Sequence, residues 1–332
     1  MTDHAILVTG GAGYIGSHAC KALRLAGYRP IALDNLSTGH SSFVKWGPLV
    51  EADVRDTQAI VSALTDYKIA AVFHFAANAN VGESVTNPQQ YYNNNVVGTL
   101  SLLHAMRTAG CNKIIFSSTC AVYGNPTTTP ISEVAALSPI NPYGASKLMV
   151  ERFLSDYRAA YELEFVTLRY FNASGADLDG DIGESHEPET HLIPRAIMAL
   201  QGYLSDLAVF GTDYETADGT AIRDYTHVAD IADAHIIALR RLLTNGGSGI
   251  FNLGTGRGYS VREVIEAIEK ATGRKIPLVL NPRRAGDPPV LIADPSLAYA
   301  ELSFAAPRSS LETIISSALA WHQTLDPPLK DP

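Results

Sequence analysis

The chain has 332 residues, about twice the usual domain length of roughly 150, so two lobes are expected. With 46% hydrophobic and 18% charged residues it can fill a core, which excludes a disordered or fibrous chain. Its 34 acidic residues outnumber 25 Lys and Arg, giving a net charge of −9, and no basic run exceeds the pairs Arg240-Arg241 and Arg283-Arg284; this excludes nucleic acid as a partner and permits a small anionic ligand.

In chain order, short β-branched or aromatic runs at residues 5–9, 30–34, 49–52, 71–75, 113–117 and 165–169 read as strands, with helical patterns between most of them. Apolar strands joined by helices require right-handed crossovers. The expected fold is therefore α/β, a Rossmann-type doubly wound parallel sheet covered on both faces. Residues 173–188 and 211–219 break this pattern with Gly, Asp and Pro, and a smaller C-terminal lobe is expected there. Residues 228–243 then read as a helix and 250–253 as a strand that returns to the first lobe. The expected division is residues 1–172 plus about 224–255 for the first lobe, about 173–223 and 256–325 for the second, and 326–332 as a tail. Cys20, Cys111 and Cys120 lack C-x-x-C spacing, so neither a disulfide framework nor a zinc site is indicated, and no metal is expected. With no basic leader and no apolar run of about 18 residues, the chain reads as soluble, cytoplasmic and without a membrane partner.

The first expected strand runs directly into Thr9-Gly10-Gly11-Ala12-Gly13-Tyr14-Ile15-Gly16, followed by a helical pattern to Leu25. Gly10 permits the tight turn, Gly13 lets a pyrophosphate approach the backbone, and Gly16 allows close helix-strand packing. The second strand ends in Asp34, 18 residues beyond Gly16, where a carboxylate accepts both hydroxyls of an adenosine ribose and repels a 2′-phosphate. No arginine follows in Asn35-Leu36-Ser37-Thr38-Gly39, so NAD is expected rather than NADP. Asp53, after the third strand, is a candidate partner for the adenine amine.

Tyr143 and Lys147 stand four residues apart in Tyr143-Gly144-Ala145-Ser146-Lys147, which puts them on one helix face about 6 Å apart along the axis. A phenol of ordinary pKa near 10 needs roughly 4 kcal/mol of stabilisation to act as a base near pH 7; an adjacent ammonium and a cationic nicotinamide ring both act in that direction. The fifth strand leads into Ser117-Ser118-Thr119, and Thr119 is placed to hydrogen-bond the same reacting oxygen.

Together these residues resemble the extended short-chain dehydrogenase/reductase family, and within it the UDP-glucose 4-epimerases, over nearly the whole chain. Further segments carry the resemblance: His74-Phe75-Ala76-Ala77, Tyr91-Tyr92-Asn93-Asn94-Asn95-Val96, Leu168-Arg169-Tyr170-Phe171-Asn172, Arg223-Asp224-Tyr225-Thr226-His227-Val228 and Pro282-Arg283-Arg284-Ala285-Gly286-Asp287. The resemblance implies NAD contacts from Tyr14 and Ile15 at the pyrophosphate, Asp34 and Asn35 at the ribose, and Asp53 and Val54 at adenine. Nearer the nicotinamide it implies Phe75, Ala76, Ala77, Asn94, Tyr143, Lys147 and Phe171. UDP-sugar contacts are implied for Thr119, Tyr143, Asn172, Leu192, Phe210, Arg223, Arg284 and Asp287. The arginines suit diphosphate oxygens, Asp287 a ribose hydroxyl and Phe210 the uracil face.

Three departures stand out. Asn78-Ala79-Asn80 occupies a stretch where many members carry a lysine; His191 stands where the family has an amide near the sugar diphosphate; and Leu291 replaces the tyrosine of some relatives, leaving room for an N-acetyl group. The implied reaction inverts C4 of a UDP-hexose, UDP-glucose or UDP-galactose, through a transient 4-keto sugar, with Tyr143 moving the hydroxyl proton. UDP-N-acetylhexosamine and UDP-pentose epimerases share that chemistry. A dehydratase also begins by oxidising C4, but related dehydratases place Asp-Glu after this threonine, where this chain has Cys120-Ala121. A nonenzymatic NAD sensor would not need Tyr143 and Lys147. The resemblance also implies a homodimer in which helical segments at residues 88–108 and 146–161 pair as a four-helix bundle.

Overall fold

The computed structural model describes residues 4–284 and 287–325. Ala285 and Gly286 of the arginine motif, and the expected tail 326–332, lie outside the described residues.

Six strands follow the expected order: β1 (Ala5–Thr9), β2 (Arg29–Asp34), β3 (Leu49–Glu51), β4 (Ile69–His74), β5 (Lys113–Thr119) and β6 (Glu164–Tyr170). Eight more come later: β7 (Asn172–Ser174), β8 (Leu207–Phe210), β9 (Ile222–Arg223), β10 (Tyr225–His227), β11 (Gly249–Leu253), β12 (Tyr259–Ser260), β13 (Leu278–Asn281) and β14 (Val290–Leu291). The helices through the first six strands are α1 (Tyr14–Leu25), α2 (Thr57–Asp66), α3 (Val81–Thr86), α4 (Pro88–Tyr91), α5 (Gly98–Ala109) and α6 (Pro142–Tyr161). They are followed by α7 (Leu192–Gln201), α8 (Val228–Leu243), α9 (Val261–Thr272), α10 (Ser296–Leu302) and α11 (Leu311–Thr324). The expected helix over residues 88–108 is divided: wider π-helical turns at Tyr92–Val97 separate α4 from α5.

A seven-stranded sheet in the order β11-β6-β5-β4-β1-β2-β3 carries the fold, and all its pairs are parallel. Side chains alternate across it with period two. Ile6 and Val8 of β1 point to a core shared with α1, α8 and α10, whereas Ala5 and Leu7 point to one shared with α2, α5 and α6. Helices on both faces explain why β1 is buried at all five positions. The helix expected over 228–243 is α8, which packs on α1, and β11 closes the sheet beside β6.

Beyond the sheet, α7, α9 and α11 enclose Ile193, Ile197, Val264, Ile268, Ile314 and Ile315, with Leu207 and Val209 of β8 at their edge. Small sheets β13-β8 and β12-β9-β14 complete this region. Within the span 256–325, α10 instead packs against α8 and β11 on the Rossmann core. The carboxyl ends of β1 and β4 are neighbours where the strand order reverses, which is where ligands bind in such sheets. No helix among the described residues is long and apolar enough to cross a membrane.

Candidate active site

The glycine turn sits at that reversal. Gly10 has φ +73°, and a Cβ there would lie 2.7 Å from the Ala76 nitrogen; a Cβ on Gly16 would lie 2.0 Å from the Gly10 carbonyl oxygen. Both positions therefore require glycine. Gly13 precedes α1 with no side chain capping it and no acid in the first turn, so the amides there are available to an anion. At the end of β2, Asp34 is held by Ala12 N–H at 3.0 Å and Leu36 N–H at 2.9 Å. Each of its oxygens keeps a lone pair for a further donor.

Asp53 lies just after β3. The Arg55 side chain donates two hydrogen bonds of 2.7 Å to it, the Arg55 backbone N–H one of 2.8 Å and Asn35 one of 2.9 Å, holding the carboxyl well below the usual range. Its neighbours Asn35 and Val54 line the cleft, whereas Asp53 does not.

Tyr143 and Lys147 lie in the first two turns of α6. Asn141 fixes the helix start, its side-chain oxygen accepting from Gly144 N–H at 2.8 Å, and Pro142 occupies the first helical position. Gly144 presses this turn against the segment that follows β5: a Cβ there would lie 2.5 Å from the Ala121 carbonyl oxygen. The contact brings the Tyr143 phenol toward Thr119, whose hydroxyl accepts from Ala121 N–H at 3.1 Å. Lys147 donates to the Ser117 carbonyl at 2.9 Å, and its Nζ stands 5.9 Å from the Tyr143 ring centroid.

Burial acts on the pair in opposite senses. It pushes the Tyr143 phenol up to about 12, with the neighbouring Thr119 side chain acting against it. It pushes Lys147 down to about 7, with the Glu151 charge acting against it. The lysine alone does not bring the phenol to neutrality, so the sequence-based expectation depends on a second cation.

Behind these groups lies a polar chain to which the sequence analysis gave no role. Ser118 donates to Glu151 at 2.6 Å, Arg169 grips both Glu151 oxygens at 2.9 and 2.5 Å, and also donates to Tyr123 at 2.8 Å; Tyr123 in turn donates to Asn252 at 2.7 Å. Arg169 and Glu151 are 2% and 3% exposed, so each is the other's obligatory counter-charge. The signal was the helical period: Glu151 lies one more step of four beyond Tyr143 and Lys147.

The facing wall carries the remaining candidates. Arg223 pairs with Asp287 and also donates to the Ile222 carbonyl at 2.8 Å. The Arg284 guanidinium lies 3.9 Å from the Phe210 ring centroid, a cation-π stack. Leu291 of β14 is in register with Arg223 of β9 and is buried. Asn172 donates to the Asp224 carbonyl at 3.2 Å, while the Asp224 carboxylate gathers Thr255, Gly256 and Ala293 N–H groups. His191, just before α7, meets Glu184 at 2.6 Å and Glu189 at 3.3 Å; His186 lies 3.4 Å from each. These carboxylates hold His186 up at about 9 and His191 well above its ordinary value.

All the candidates except Asp53 line one cleft of about 1070 Å³, from Gly10, Gly13, Tyr14, Ile15 and Gly16 at one end to Phe210, Arg284 and Asp287 at the other. That is just above the roughly 300–1,000 Å³ usual for a single small ligand. Asn78, Ala79 and Asn80 also line it, near Phe75, Ala76, Ala77 and Asn94; Asn78 exchanges hydrogen bonds of 2.8 and 3.0 Å with Asn95.

The family model described as NAD dependent epimerase/dehydratase family matches residues 6–254. A UDP-glucose 4-epimerase from Rhizobium leguminosarum bv. trifolii is 50% identical over 322 residues, covering 97% of this chain and 98% of its own length. Among solved structures, UDP-glucose 4-epimerase from Brucella ovis in complex with NAD is 55% identical with a TM-score of 0.94, covering 95% of this chain and 97% of that one. UDP-glucose-4-epimerase from Stenotrophomonas maltophila, with bound NAD and formylated UDP-arabinopyranose, is 42% identical with a TM-score of 0.93 over 96% and 98%. On these matches, the chain belongs to the NAD dependent epimerase/dehydratase family.

Proposed function

We propose that the chain interconverts UDP-glucose and UDP-galactose by inverting C4, with NAD held as a resident cofactor. The observation that carries this reading is the juxtaposition, in one cleft, of a dinucleotide-type glycine turn with Tyr143, Lys147 and Thr119 and an arginine-bearing wall. The turn suits NAD: neither Gly10 nor Gly16 has room for a Cβ, the α1 amides are free for a pyrophosphate, and Asp34 offers lone pairs to an unphosphorylated ribose.

When bound, NAD supplies the acceptor and then the donor of the C4 hydride, through a transient 4-keto sugar. Tyr143 takes the proton from the 4-hydroxyl and returns it to the same oxygen, while Thr119 hydrogen-bonds that oxygen. Lys147 stabilises the phenolate. Arg223 keeps N–H groups beyond those used by Ile222 and Asp287, and these with Arg284 suit diphosphate oxygens. Anchoring the nucleotide there leaves the ketose free to turn its other face to the cofactor. Asp287, Phe210, Leu192 and Asn172 are assigned to the nucleotide and sugar, and Phe171 to the nicotinamide side.

The residues after Thr119 favour epimerisation over dehydration. Ala121 has no titratable group, and burial pushes the Cys120 thiol up to about 12, so neither is an acid or base for eliminating water. The three cysteines are buried free thiols, which supports a reducing, cytoplasmic setting. Val97 and Leu100 near and on α5, and Met149 on α6, are exposed apolar side chains, which supports the homodimer pairing these helices in a four-helix bundle.

Purified protein given UDP-galactose without added NAD is expected to approach equilibrium with UDP-glucose, and absence of interconversion overturns the reading. Parallel assays with UDP-N-acetylgalactosamine and a UDP-pentose test the room left by Leu291. Turnover of either at a rate comparable to the hexose broadens the substrate class.

A further inference from the structure

The segment Glu184-Ser185-His186-Glu187-Pro188-Glu189-Thr190-His191 brings two acids and two imidazoles together on the cleft wall. One ligand-type atom from each of Glu184, His186, Glu189 and His191 lies within 4.8 Å of all the others. The carboxylates are deeply buried, at 5% and 7% exposure. Among the described residues no Lys or Arg reaches either within salt-bridge distance; both face the Nδ1 atoms of the two histidines.

Glu184 Oε1 lies 3.4 Å from His186 Nδ1 and 2.6 Å from His191 Nδ1, while Glu189 meets His186 through Oε2 at 3.4 Å and His191 through Oε1 at 3.3 Å. A tetrahedron with ligands about 2.0–2.1 Å from its centre has edges of about 3.3 Å. Glu189 Oε1 accepts from Thr190 and His191 N–H at 2.7 and 2.8 Å, whereas Glu184 Oε1 and His186 Nδ1 are buried without a well-aligned hydrogen-bond partner. The acidic group Asp177, Asp179 and Asp181 is the useful contrast, since the Lys21 ammonium sits among those three carboxylates at 2.6–2.9 Å and already satisfies them.

We propose that Glu184, His186, Glu189 and His191 form a tetrahedral site for one divalent transition-metal ion. Two imidazole nitrogens with two carboxylate oxygens suit zinc, whereas calcium and magnesium call for oxygen ligands alone. The ion clamps the loop that leads into α7 and thereby shapes the cleft wall. His191 is then a metal ligand rather than a direct substrate contact. The proposal stands on this geometry and not on the reaction catalysed.

The test uses the full-length protein with its resident cofactor, stripped of metal with a chelator and titrated by calorimetry with Zn²⁺. One ion per chain is expected, with sub-micromolar affinity and a higher melting temperature. Co²⁺ in the same site is expected to give the intense visible absorption of a tetrahedral complex, displaced by Zn²⁺. The double substitutions His186→Ala/His191→Ala and Glu184→Gln/Glu189→Gln should each weaken binding by roughly 100-fold or more. The proposal is overturned if the wild-type protein shows no saturable binding, if Co²⁺ gives only a weak octahedral spectrum, or if a folded double variant binds as tightly. The wild-type titrations decide the matter even where a variant does not fold.

Discussion

Tyr143 and Lys147 define the residue scale, where protonation decides function. Burial raises the phenol to about 12 and lowers the ammonium to about 7, so both neutral forms are favoured and charge must be stabilised by what surrounds the pair. Phenolate formation has the lysine charge as one support and the cationic nicotinamide ring as the other. Lys147→Met removes the first. Its pH-rate profile should move to higher pH, since the phenol then ionises less readily, and its maximal rate should fall; a profile superimposable on the wild type would exclude this role for the lysine. This pair was legible in the sequence as a four-residue spacing, but its electrostatics were not, because desolvation depends on β5 and α6 closing over it.

At the element scale, α6 is positioned by contacts at both ends of its active face. Asn141 and Gly144 fix its first turn against the segment after β5, and the Glu151-Arg169 pair ties it to β6. Gly144→Ala would put a methyl group 2.5 Å from a backbone oxygen, a clash that overpacking data place at about 1–3 kcal/mol. The expected outcome is a lower denaturation midpoint together with a reduced turnover rate as Tyr143 shifts away from Thr119. Normal turnover in this variant would show that the close approach does not set the site. The strands were readable because buried parallel strands are unbroken apolar runs, and the glycine turn because each glycine has a separate steric reason. Glu151 and Gly144 went unassigned because their partners are remote or are backbone atoms. In the Glu184–His191 segment only His191 was singled out, because metal ligands were sought among cysteines. The pairing of Asp53 with Arg55, and of Arg223 with Asp287, likewise depends on side-chain directions that spacing does not determine.

At the scale of the whole molecule, the reversal of strand order beside β1 opens a cleft between the sheet and the region built on α7, α9 and α11. An acidic chain of net charge −9 can present phosphate sites there because helix amides and a few arginines act locally. The proposed dimer belongs to this scale too. Light scattering at micromolar concentration should give twice the chain mass, and Leu100→Glu should shift it toward one; a wild-type monomer would contradict the pairing.

In the proposed reaction, inversion at C4 removes and returns the same hydrogen within one cleft. The most direct measurement follows UDP-galactose carrying deuterium at C4 through conversion by the purified protein in ordinary water, with the product read by NMR and mass spectrometry. The prediction is UDP-glucose that retains the deuterium at C4 in full, with no solvent hydrogen incorporated on carbon. Loss of the label to water, or product inverted at another carbon, would contradict it.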